Sequence, residues 1–452
     1  MYNLGAYCLG MYCSEMYFRK PGGESMGFQL KGMLLGAASA ATQIEGGECG
    51  HNWNDWYHQG KIKDGSDPAR ANDHYHRWRE DADLMATMGL RIYRMGIEWS
   101  RIEPEEGKFN KDAVAHYRQE IKYLKSLGIQ PLLTIHHFTN PMWFEEKGGF
   151  TKFENAQYYL RLVRLCVRYF GDLVSEYITI NEPNVYAVNS WLFGEWPPAE
   201  RSLGKTIDVM SVMTYCHIKA YELIHRMRRK MGYNDTKVSF ANHLRCFVPK
   251  DATDPVQRIM AKGSEWAFQK AMTVAMCTGR FQFPMKNYGK LPKGEYCDFQ
   301  ALNYYSRSAV SNAGNGFLDN VPVNDLDWEI YPHGIVECAQ FLYDVLPRPI
   351  YVTENGTCDN QDTFRCRYLY EHLKELCDSG LPVQRYYHWC FCDNFEWLEG
   401  ESARFGLVHV DYETQKRTVK KSGQFYSAMI AEGGVDEHLY DEYVDGQSYR
   451  IK

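Results

Sequence analysis

Residues 351–356 read Tyr351-Val352-Thr353-Glu354-Asn355-Gly356, an apolar run that ends on a carboxylate. With Ile350 before it, the run is short, apolar and β-branched, which is typical of a buried strand. The Asn-Gly dipeptide that follows favours a sharp turn. The sequence therefore predicts that Glu354 lies at the carboxyl end of a buried strand.

A second stretch follows the same plan. Residues 177–183 read Tyr177-Ile178-Thr179-Ile180-Asn181-Glu182-Pro183, in which an apolar run leads into Asn and Glu before a proline that ends the strand. One glutamate at a strand end is more often an ion-pair partner or a cap than a catalytic group. Two glutamates, each directly after a buried strand, instead predict a carboxylate pair that faces one cavity.

Eight predicted strands alternate with about eight predicted helices along the chain. The strands are Leu34–Ala40, Leu90–Met95, Ile129–Ile135, Glu176–Ile180, Lys237–Ala241, Phe299–Leu302, Ile350–Thr353 and Val383–Tyr387. This alternation predicts an α/β fold, a single (β/α)8 TIM barrel with its active site at the carboxyl ends of the strands. A doubly wound open sheet is the alternative, but no glycine-rich nucleotide loop follows the first strand.

The two ends of the chain differ from its middle. Residues 1–27 are irregular and rich in Gly, Tyr and Met, and we expect them to form a flexible N-terminal extension. No Pro/Ser-rich linker divides the remainder, so residues 28–452 are expected to form a single (β/α)8 domain.

Composition limits the partners that the chain can bind. The net charge of −6, with no long block of either sign, argues against a nucleic-acid surface. No apolar run has spanning length and no signal peptide is found, so a cytoplasmic protein without membrane contact is expected. The 14 scattered cysteines lack metal-like spacing and are expected to be reduced. The 33 tyrosines and 11 tryptophans fit either a large aromatic core or a carbohydrate site.

A carboxylate pair across a central pocket suits glycoside hydrolysis. That reaction uses one carboxyl as proton donor and a second as nucleophile or base, and a separation of about 5 Å gives retention of configuration. The strands that deliver Glu182 and Glu354 are the fourth and the seventh, on opposite sides of an eight-stranded ring. A pair that spans a central pocket is therefore geometrically reasonable.

Further motifs occur in order along the chain. They are Gln43-Ile44-Glu45-Gly46, Tyr93-Arg94, Trp99-Ser100-Arg101, residues 134–141, Asn303-Tyr304-Tyr305, Trp389, Asp393-Asn394-Phe395-Glu396-Trp397, Arg404-Phe405-Gly406-Leu407 and Val410-Asp411. With the two glutamate stretches, they closely resemble family 1 glycoside hydrolases, the retaining β-glucosidases and their relatives. The resemblance runs from about Gly36 to Lys421. It implies hydrolysis of β-glucosides or short β-linked oligosaccharides, with no cofactor and no metal.

The resemblance also implies roles for the acidic residues and their partners. Glu354 resembles the nucleophile, and Glu182 the general acid and base. Arg94 and Tyr305 resemble the partners of the nucleophile, and both would favour an ionised Glu354. Glu182 is expected in a less cationic place, where it keeps its proton, with Asn181 placed for the sugar's 2-hydroxyl.

Several polar and aromatic residues resemble the family's sugar-binding set. Gln43, His137, Asn181, Asn303 and Glu396 would bind the sugar, Trp389 would lie beneath it, Trp397 would be a second contact, and Trp328 would face the aglycone. Without the resemblance, a lone histidine or tryptophan in such a place is more often an ordinary core residue.

Glu396 bears on the class of substrate. A carboxylate that faces the 4- and 6-hydroxyls would repel a 6-phosphate, so unphosphorylated sugar is favoured. The alternatives are a 6-phospho-β-glucosidase and a catalytically inactive barrel that binds sugar. Phe138 stands where the family more often has tryptophan, which leaves β-galactosidase and β-fucosidase activity open beside β-glucosidase activity. Oligomeric state and aglycone preference are not inferred from the sequence.

Overall fold

The computed structural model describes residues 26–452, in which eight parallel strands close into a barrel. The strands are β1 (Leu34–Ala38), β2 (Ile92–Gly96), β3 (Gln130–His136), β4 (Glu176–Asn181), β5 (Lys237–Pro249), β6 (Gln300–Ser311), β7 (Ile350–Asn355) and β8 (Val383–Trp389). Each strand pairs with the next along the chain, and β8 pairs with β1 to close the ring. The predicted (β/α)8 barrel is confirmed.

A helix follows each strand and packs on the outside of the barrel. In order these helices are His74–Thr87, Lys111–Ser126, Ala156–Phe170, Leu203–Lys230, Pro255–Glu265 continued by Ala271–Thr278, Gly334–Val345, Arg365–Asp378 and Lys421–Glu432. The helix Ala156–Phe170 buries Tyr159, Val163, Cys166 and Phe170, whose three- and four-residue spacing gives one apolar face. Such faces cover the strands and form the main core between the two layers.

Shorter elements complete the fold. The remaining helical segments are Ala41–Ile44, Asn52–His58, Trp99–Ile102, Met142–Glu146, Gly149–Thr151, Phe153–Asn155, Pro183–Ala187, Val188–Phe193, Trp266–Lys270, Tyr288–Lys290, Trp397–Glu399 and Glu437–Tyr443. Small antiparallel pairs join Phe28–Gln29 to Gly434–Val435, Val408–Val410 to Arg417–Val419, Pro322–Val323 to Arg450–Ile451, and Gly314–Gly316 to the end of β6. No helix within residues 26–452 is long and apolar enough to cross a membrane.

Most of the predicted N-terminal extension cannot be compared with the structure. Residues 1–25 of the segment 1–27 lie outside the described residues. Phe28 and Gln29 pair with residues that follow the last barrel helix. The single-domain organisation of residues 28–452 stays a prediction.

Strands β5 and β6 run further than the sequence predicts. They were expected to end at Ala241 and Leu302, because polar residues follow both positions. Instead the two strands stay paired to Pro249 and Val310, well beyond the carboxyl rim of the barrel, with an irregularity between Leu244 and Cys246. This extension forms a wall beside the pocket and carries side chains into it.

The amino end of the barrel is closed by charged and aromatic side chains. Arg385 forms a buried ion pair with Glu176, with 2.9 Å between Arg385 Nη2 and Glu176 Oε1, and the hydroxyl of Tyr351 also donates to Glu176. The ring of Phe299 stacks on Tyr351 with 4.2 Å between centroids. Because this end is filled, the pocket opens at the carboxyl ends of the strands.

The turn predicted at Asn355-Gly356 is wrong. Strand β7 continues through Asn355, and no turn begins at Gly356. A Cβ atom on Gly356 would lie 1.8 Å from the carbonyl oxygen of Trp389, a distance that forbids any side chain. The glycine therefore allows the ends of β7 and β8 to approach closely, with the Trp389 backbone against Gly356.

Candidate active site

Four strands deliver the polar centre of the pocket. Arg94 comes from β2, Asn181 from the end of β4, Asn303 from β6 and Glu354 from β7, while Glu182 follows β4 directly. Arg94 donates both to Glu354 and to Asn181, and Asn303 donates both to Asn181 and to Glu182. One continuous hydrogen-bond network thus joins the two glutamates that the sequence singled out.

Glu354 receives two short hydrogen bonds. Arg94 Nη1 lies 2.5 Å from its Oε1, and the hydroxyl of Tyr305 lies 2.6 Å from its Oε2. The Arg94 side chain is fully buried and is held by Thr134 Oγ1 at 3.0 Å. Burial, with a smaller contribution from the Glu182 charge, raises the pKa of Glu354 to about 7, although the Arg94 charge and the Tyr305 hydroxyl oppose the rise. Without substrate, Glu354 therefore takes up a proton more readily than an ordinary glutamate, despite these two contacts.

Within residues 26–452, Glu182 is bonded through one oxygen only. Its Oε1 lies 2.9 Å from Asn303 Nδ2 and 3.2 Å from His243 Nδ1. The backbone of Glu182 has φ of +39°, in the left-handed region that glutamate seldom adopts, and Pro183 begins a short helix directly after it. This backbone turns the side chain from the strand end into the pocket, a strained conformation of the kind that concentrates at functional sites.

The expectation that Glu182 lies in a less cationic place is wrong. His243 and Arg245, both on the extension of β5, lie beside it. Burial raises the pKa of Glu182, but the His243 interaction and the Asn303 hydrogen bond outweigh burial and hold that pKa below its usual range. The sequence prediction ended β5 at Ala241 and therefore left these side chains out of the pocket.

Asn181 links the glutamates to His137. Its Oδ1 accepts from Arg94 at 2.6 Å, and because a guanidinium only donates, this contact fixes the orientation of the amide. Its Nδ2 then donates to His137 Nε2 at 3.0 Å. Burial lowers the pKa of His137 well below its usual value, so the ring is neutral and carries its proton on Nδ1. That buried Nδ1 has no hydrogen-bond partner among residues 26–452.

Gln43 offers the complementary group. Its Nε2 donates to the Phe395 carbonyl at 2.9 Å and to Glu396 Oε2 at 3.2 Å, while its buried Oε1 has no partner in the described chain. Unsatisfied buried polar atoms are rare in folded proteins and call for an explanation. A donor on His137 and an acceptor on Gln43 are what a ligand with several hydroxyl groups would satisfy.

Glu396 adds a third carboxyl to the pocket. It accepts from Gln43 and, at 3.4 Å, from Trp389 Nε1. Burial raises the pKa of Glu396 to about 8, with smaller contributions from the charges of Glu354 and Glu182. Near neutral pH this group can therefore donate as well as accept hydrogen bonds.

Aromatic rings form one wall of the pocket. Trp389 and Trp397 lie nearly parallel to the His137 ring, with centroid distances of 5.8 and 6.0 Å. Behind Trp397 pack Trp53, Trp196 and Phe138. The sequence prediction placed Trp389 and Trp397 here but omitted Trp53, which lies in the short helix Asn52–His58, and Trp196, which lies in the loop after Phe193.

Trp328 lies further out than the other predicted residues. Its side chain is 38% exposed and contacts Tyr305 edge-on at 5.9 Å and Phe405 at 5.8 Å. Because Tyr305 donates to Glu354, Trp328 stands at the rim of the same pocket. All twelve residues predicted for the site thus lie in this pocket or at its rim.

Metal ligands do not gather in the pocket. Among residues 26–452, no cluster of three or more His, Cys, Asp or Glu side chains is arranged to hold a metal ion. Glu182, Glu354 and Glu396 instead bond to arginine, tyrosine, asparagine, glutamine, histidine and tryptophan side chains.

Comparison with known proteins gives a consistent family assignment. The sequence profile described as Glycosyl hydrolase family 1 matches residues 28–435. The chain is 31% identical over 448 residues to a 1,4-beta-D-glucan glucohydrolase of Thermotoga neapolitana, an alignment that spans 90% of this chain and 99% of that protein.

Solved structures agree with the sequence matches. A beta-glycosidase from Pyrococcus horikoshii superposes with a TM-score of 0.84 at 32% identity, covering 93% of this chain and 98% of that one. A beta-glucosidase from Thermotoga maritima in complex with castanospermine gives a TM-score of 0.81 at 30% identity, covering 90% of this chain and 99% of that one.

Proposed function

The chain belongs to glycosyl hydrolase family 1, and from that premise we propose that it is a retaining β-glucosidase. In this proposal Glu354 is the nucleophile and Glu182 is the general acid and base. The observation that carries the proposal is the hydrogen-bond network in which Arg94 and Tyr305 hold Glu354, while residues 26–452 bond only one oxygen of Glu182. The two carboxyls therefore have unequal environments, as the two roles require.

The reaction proceeds in two displacements. In the first, a Glu354 oxygen bonds to the anomeric carbon, the glycosidic bond breaks, and Glu182 gives its proton to the departing oxygen. In the second, Glu182 takes a proton from water, the water oxygen bonds to the anomeric carbon, and Glu354 leaves. Two inversions give net retention of the β configuration.

Proton placement follows from the contacts of each carboxyl. The two groups titrate as a pair, because the Glu182 charge raises the proton affinity of Glu354. A bound β-glucoside places its glycosidic oxygen beside Glu182, which gives the Glu182 proton an acceptor. Arg94 and Tyr305 meanwhile stabilise the Glu354 anion through charge-assisted hydrogen bonds. Substrate binding thus favours the arrangement in which Glu354 is ionised and Glu182 is protonated.

Sugar recognition is assigned to the polar atoms opposite the aromatic wall. His137 Nδ1 donates to one hydroxyl and Gln43 Oε1 accepts from another, which satisfies both buried atoms. Asn181 faces the sugar's 2-hydroxyl, Trp389 lies beneath the ring, and Trp328 contacts the aglycone. Glucose is proposed because several relatives are named beta-glucosidases or glucan glucohydrolases. Galactosides and fucosides are secondary candidates, since Phe138 cannot donate a hydrogen bond to the sugar.

We also propose the class of substrate and the cellular location of the enzyme. The substrates are β-glucosides or short β-linked oligosaccharides, and the chemistry is assigned to carboxyl groups without a cofactor. A cytoplasmic location is supported by 14 cysteines that are scattered without paired spacing, as is typical of reduced proteins.

Glu396 distinguishes this proposal from the 6-phospho-β-glucosidase alternative. We expect p-nitrophenyl β-D-glucoside to be cleaved at least about 100-fold faster, in kcat/KM, than its 6-phosphate, because burying a phosphate dianion beside the Glu396 carboxyl costs several kcal/mol in desolvation. Glu396→Ser should lower kcat/KM for the glucoside about 10- to 100-fold and reduce that preference, since it removes the hydrogen bonds to the sugar and the carboxyl beside the phosphate.

Glu399→Ser is the matched control. Glu399 lies three residues from Glu396 and pairs with Lys63 at the surface. Removing the Glu399 carboxylate should therefore leave kcat/KM for the glucoside and for its 6-phosphate within about twofold of wild type. Equal rates for the two substrates in wild type would contradict the assignment of unphosphorylated sugar. If wild type cleaves neither, the inactive sugar-binding barrel becomes the better account.

A further inference from the structure

Three side chains form a chain of contacts that ends on Glu182. Arg245 Nη2 lies 2.9 Å and Arg245 Nε 3.3 Å from His243 Nε2, and His243 Nδ1 lies 3.2 Å from Glu182 Oε1. His243 and Arg245 are two residues apart on the extension of β5, and their side chains are in direct contact. Nothing in the reaction scheme above uses either residue.

The contacts determine which nitrogen of His243 carries the proton. A guanidinium can only donate, so His243 Nε2 must accept from Arg245 and must be unprotonated. The proton of the neutral ring is then on Nδ1, and His243 Nδ1 donates to Glu182 Oε1. Burial lowers the pKa of His243, the Glu182 charge opposes this, and the neighbouring Arg245 lowers it further. The imidazole therefore stays neutral although it touches a carboxyl.

The same contacts distinguish the two oxygens of Glu182. Oε1 accepts from both His243 Nδ1 and Asn303 Nδ2, so a proton on Oε1 would face two donors. No hydrogen bond reaches Oε2 from residues 26–452, which leaves that oxygen for the reacting proton. A carboxyl held through one oxygen also has a fixed orientation towards the pocket.

Taking Glu182 as the general acid of the proposed function, we propose that His243 and Arg245 are its positioning residues. Arg245 keeps His243 neutral with its proton on Nδ1, His243 holds Oε1 of Glu182, and the proton for the departing oxygen is carried on Oε2. The histidine ring also stacks on Tyr305, at 5.6 Å and 18°, so it contacts the supporting residue of the other carboxyl as well.

Arg245 prevents the proton from moving to the histidine. A lone histidine beside a buried glutamate would take its proton and form an ion pair, which would leave no acid for catalysis. Arg245 disfavours that state because its charge lies against Nε2. Arg245 is itself held by Ser308 Oγ at 3.2 Å and by the Phe268 ring at 5.3 Å, and no acidic side chain lies within 4.0 Å of it in the described chain. Its charge is therefore available to act on His243.

Other charged groups face the same centre and stay constant in the test. Arg94 lowers the pKa of Glu182 from the far side, after the larger effects of burial, His243 and Asn303. The Glu182 charge raises the pKa of Glu354 and, to a smaller extent, that of Glu396. Arg94, Glu354 and Glu396 make no hydrogen bond with His243 in residues 26–452, so substitutions at 243 and 245 act on Glu182 through the positioning pair.

Two variants at position 243 separate the hydrogen bond from the ring. His243→Phe keeps a flat ring against Tyr305 but has no donor, whereas His243→Asn places an amide N–H near the position of Nδ1. For an alkyl β-glucoside, whose departure needs the proton, we expect His243→Phe to lower kcat/KM by about 10- to 100-fold. For 2,4-dinitrophenyl β-glucoside, whose dinitrophenolate departs without a proton, kcat/KM should fall by about threefold or less. His243→Asn should stay within about fivefold of wild type on both.

The pH profiles of kcat/KM should move in opposite directions in His243→Phe and Arg245→Met. Losing the donor raises the pKa of Glu182, so the alkaline limb of kcat/KM in His243→Phe should move up by about one pH unit. Arg245→Met lets His243 take the shared proton, so the alkaline limb of kcat/KM in this variant should move to lower pH. The decrease in kcat/KM should again be confined to the alkyl glucoside. If the two residues have only a structural role, kcat/KM should fall equally for both substrates and the limbs of the pH profile should not move. That result would overturn the proposal.

The closing experiment measures the protonation state of His243 by NMR and does not depend on activity. In the full chain labelled with 15N-histidine, the His243 signals, identified by their loss in His243→Asn, should show a neutral ring protonated at Nδ1 from pH 5 to 8. In Arg245→Met the ring should become protonated within that range. A wild-type ring protonated at Nε2 or on both nitrogens would overturn the proposal. If wild type hydrolyses no glycoside, the proposed function fails while this measurement still decides the state of His243.

Discussion

Replacing Glu354 by alanine is expected to lower kcat for p-nitrophenyl β-D-glucoside by roughly 10⁵-fold, as is typical when the nucleophile of a covalent mechanism is removed. No other carboxyl can take its place, because Glu354 is the group that Arg94 and Tyr305 hold at the end of β7. KM should change far less than kcat, since the sugar-binding residues on the other strands remain. The two parameters are measured by steady-state kinetics.

Azide provides the diagnostic for this variant. A small anion can enter the space left by the carboxylate and attack the anomeric carbon from the same side, so Glu354→Ala with azide should release α-glucosyl azide. Glu401→Ala is the control, because Glu401 is another buried glutamate but pairs with Arg70 away from the pocket network. Formation of β-glucosyl azide by Glu354→Ala would contradict the nucleophile assignment. A decrease of kcat in Glu401→Ala as large as that in Glu354→Ala would contradict it as well.

Replacing Glu182 by alanine should give a different pattern that depends on the leaving group. For 2,4-dinitrophenyl β-glucoside the first displacement needs no proton, so the glycosyl-enzyme should form rapidly and then hydrolyse about 10²- to 10⁴-fold more slowly than in wild type. Pre-steady-state kinetics should therefore show a burst of dinitrophenol. For an alkyl glucoside both displacements lose their acid or base, and turnover should be barely measurable.

Azide again separates the two roles. In Glu182→Ala it attacks the glycosyl-enzyme from the face opposite Glu354, so the product should be β-glucosyl azide and kcat should rise with azide concentration. Glu182→Gln serves as the control for cavity formation, since it keeps the side-chain volume but cannot transfer the proton. A burst absent from both variants, together with α-glucosyl azide, would exchange the assigned roles of Glu182 and Glu354.

Much of the barrel follows from local sequence. Each strand is a short apolar run and each covering helix has apolar positions three and four residues apart, so both periodicities can be read without knowledge of long-range contacts. The strand predicted at Glu176–Ile180 begins at the same residue in the structure and ends one residue later, at Asn181. Glu182 and Glu354 follow from the same reasoning, because parallel strands of a barrel end on one face.

The features that were missed depend on contacts between distant segments. Residues 243–246 alternate polar and apolar side chains, which is a strand signal, but the two polar residues Asn242 and His243 made an end at Ala241 the simpler interpretation. Gly356 resembles a turn glycine locally, whereas its real constraint is the carbonyl of Trp389 on the neighbouring strand. The electrostatic surroundings of Glu182 likewise depend on Arg245, which belongs to a different strand.

Trapping the covalent intermediate tests the central claim most directly. Wild-type enzyme treated with 2,4-dinitrophenyl 2-deoxy-2-fluoro-β-D-glucoside should release one equivalent of dinitrophenol and gain the mass of one fluoroglucosyl group. Peptide mass spectrometry should then place that group on Glu354, in the segment Tyr351-Val352-Thr353-Glu354-Asn355-Gly356. A label on Glu182, on Glu396 or on any other residue, or turnover without a covalent adduct, would contradict the account.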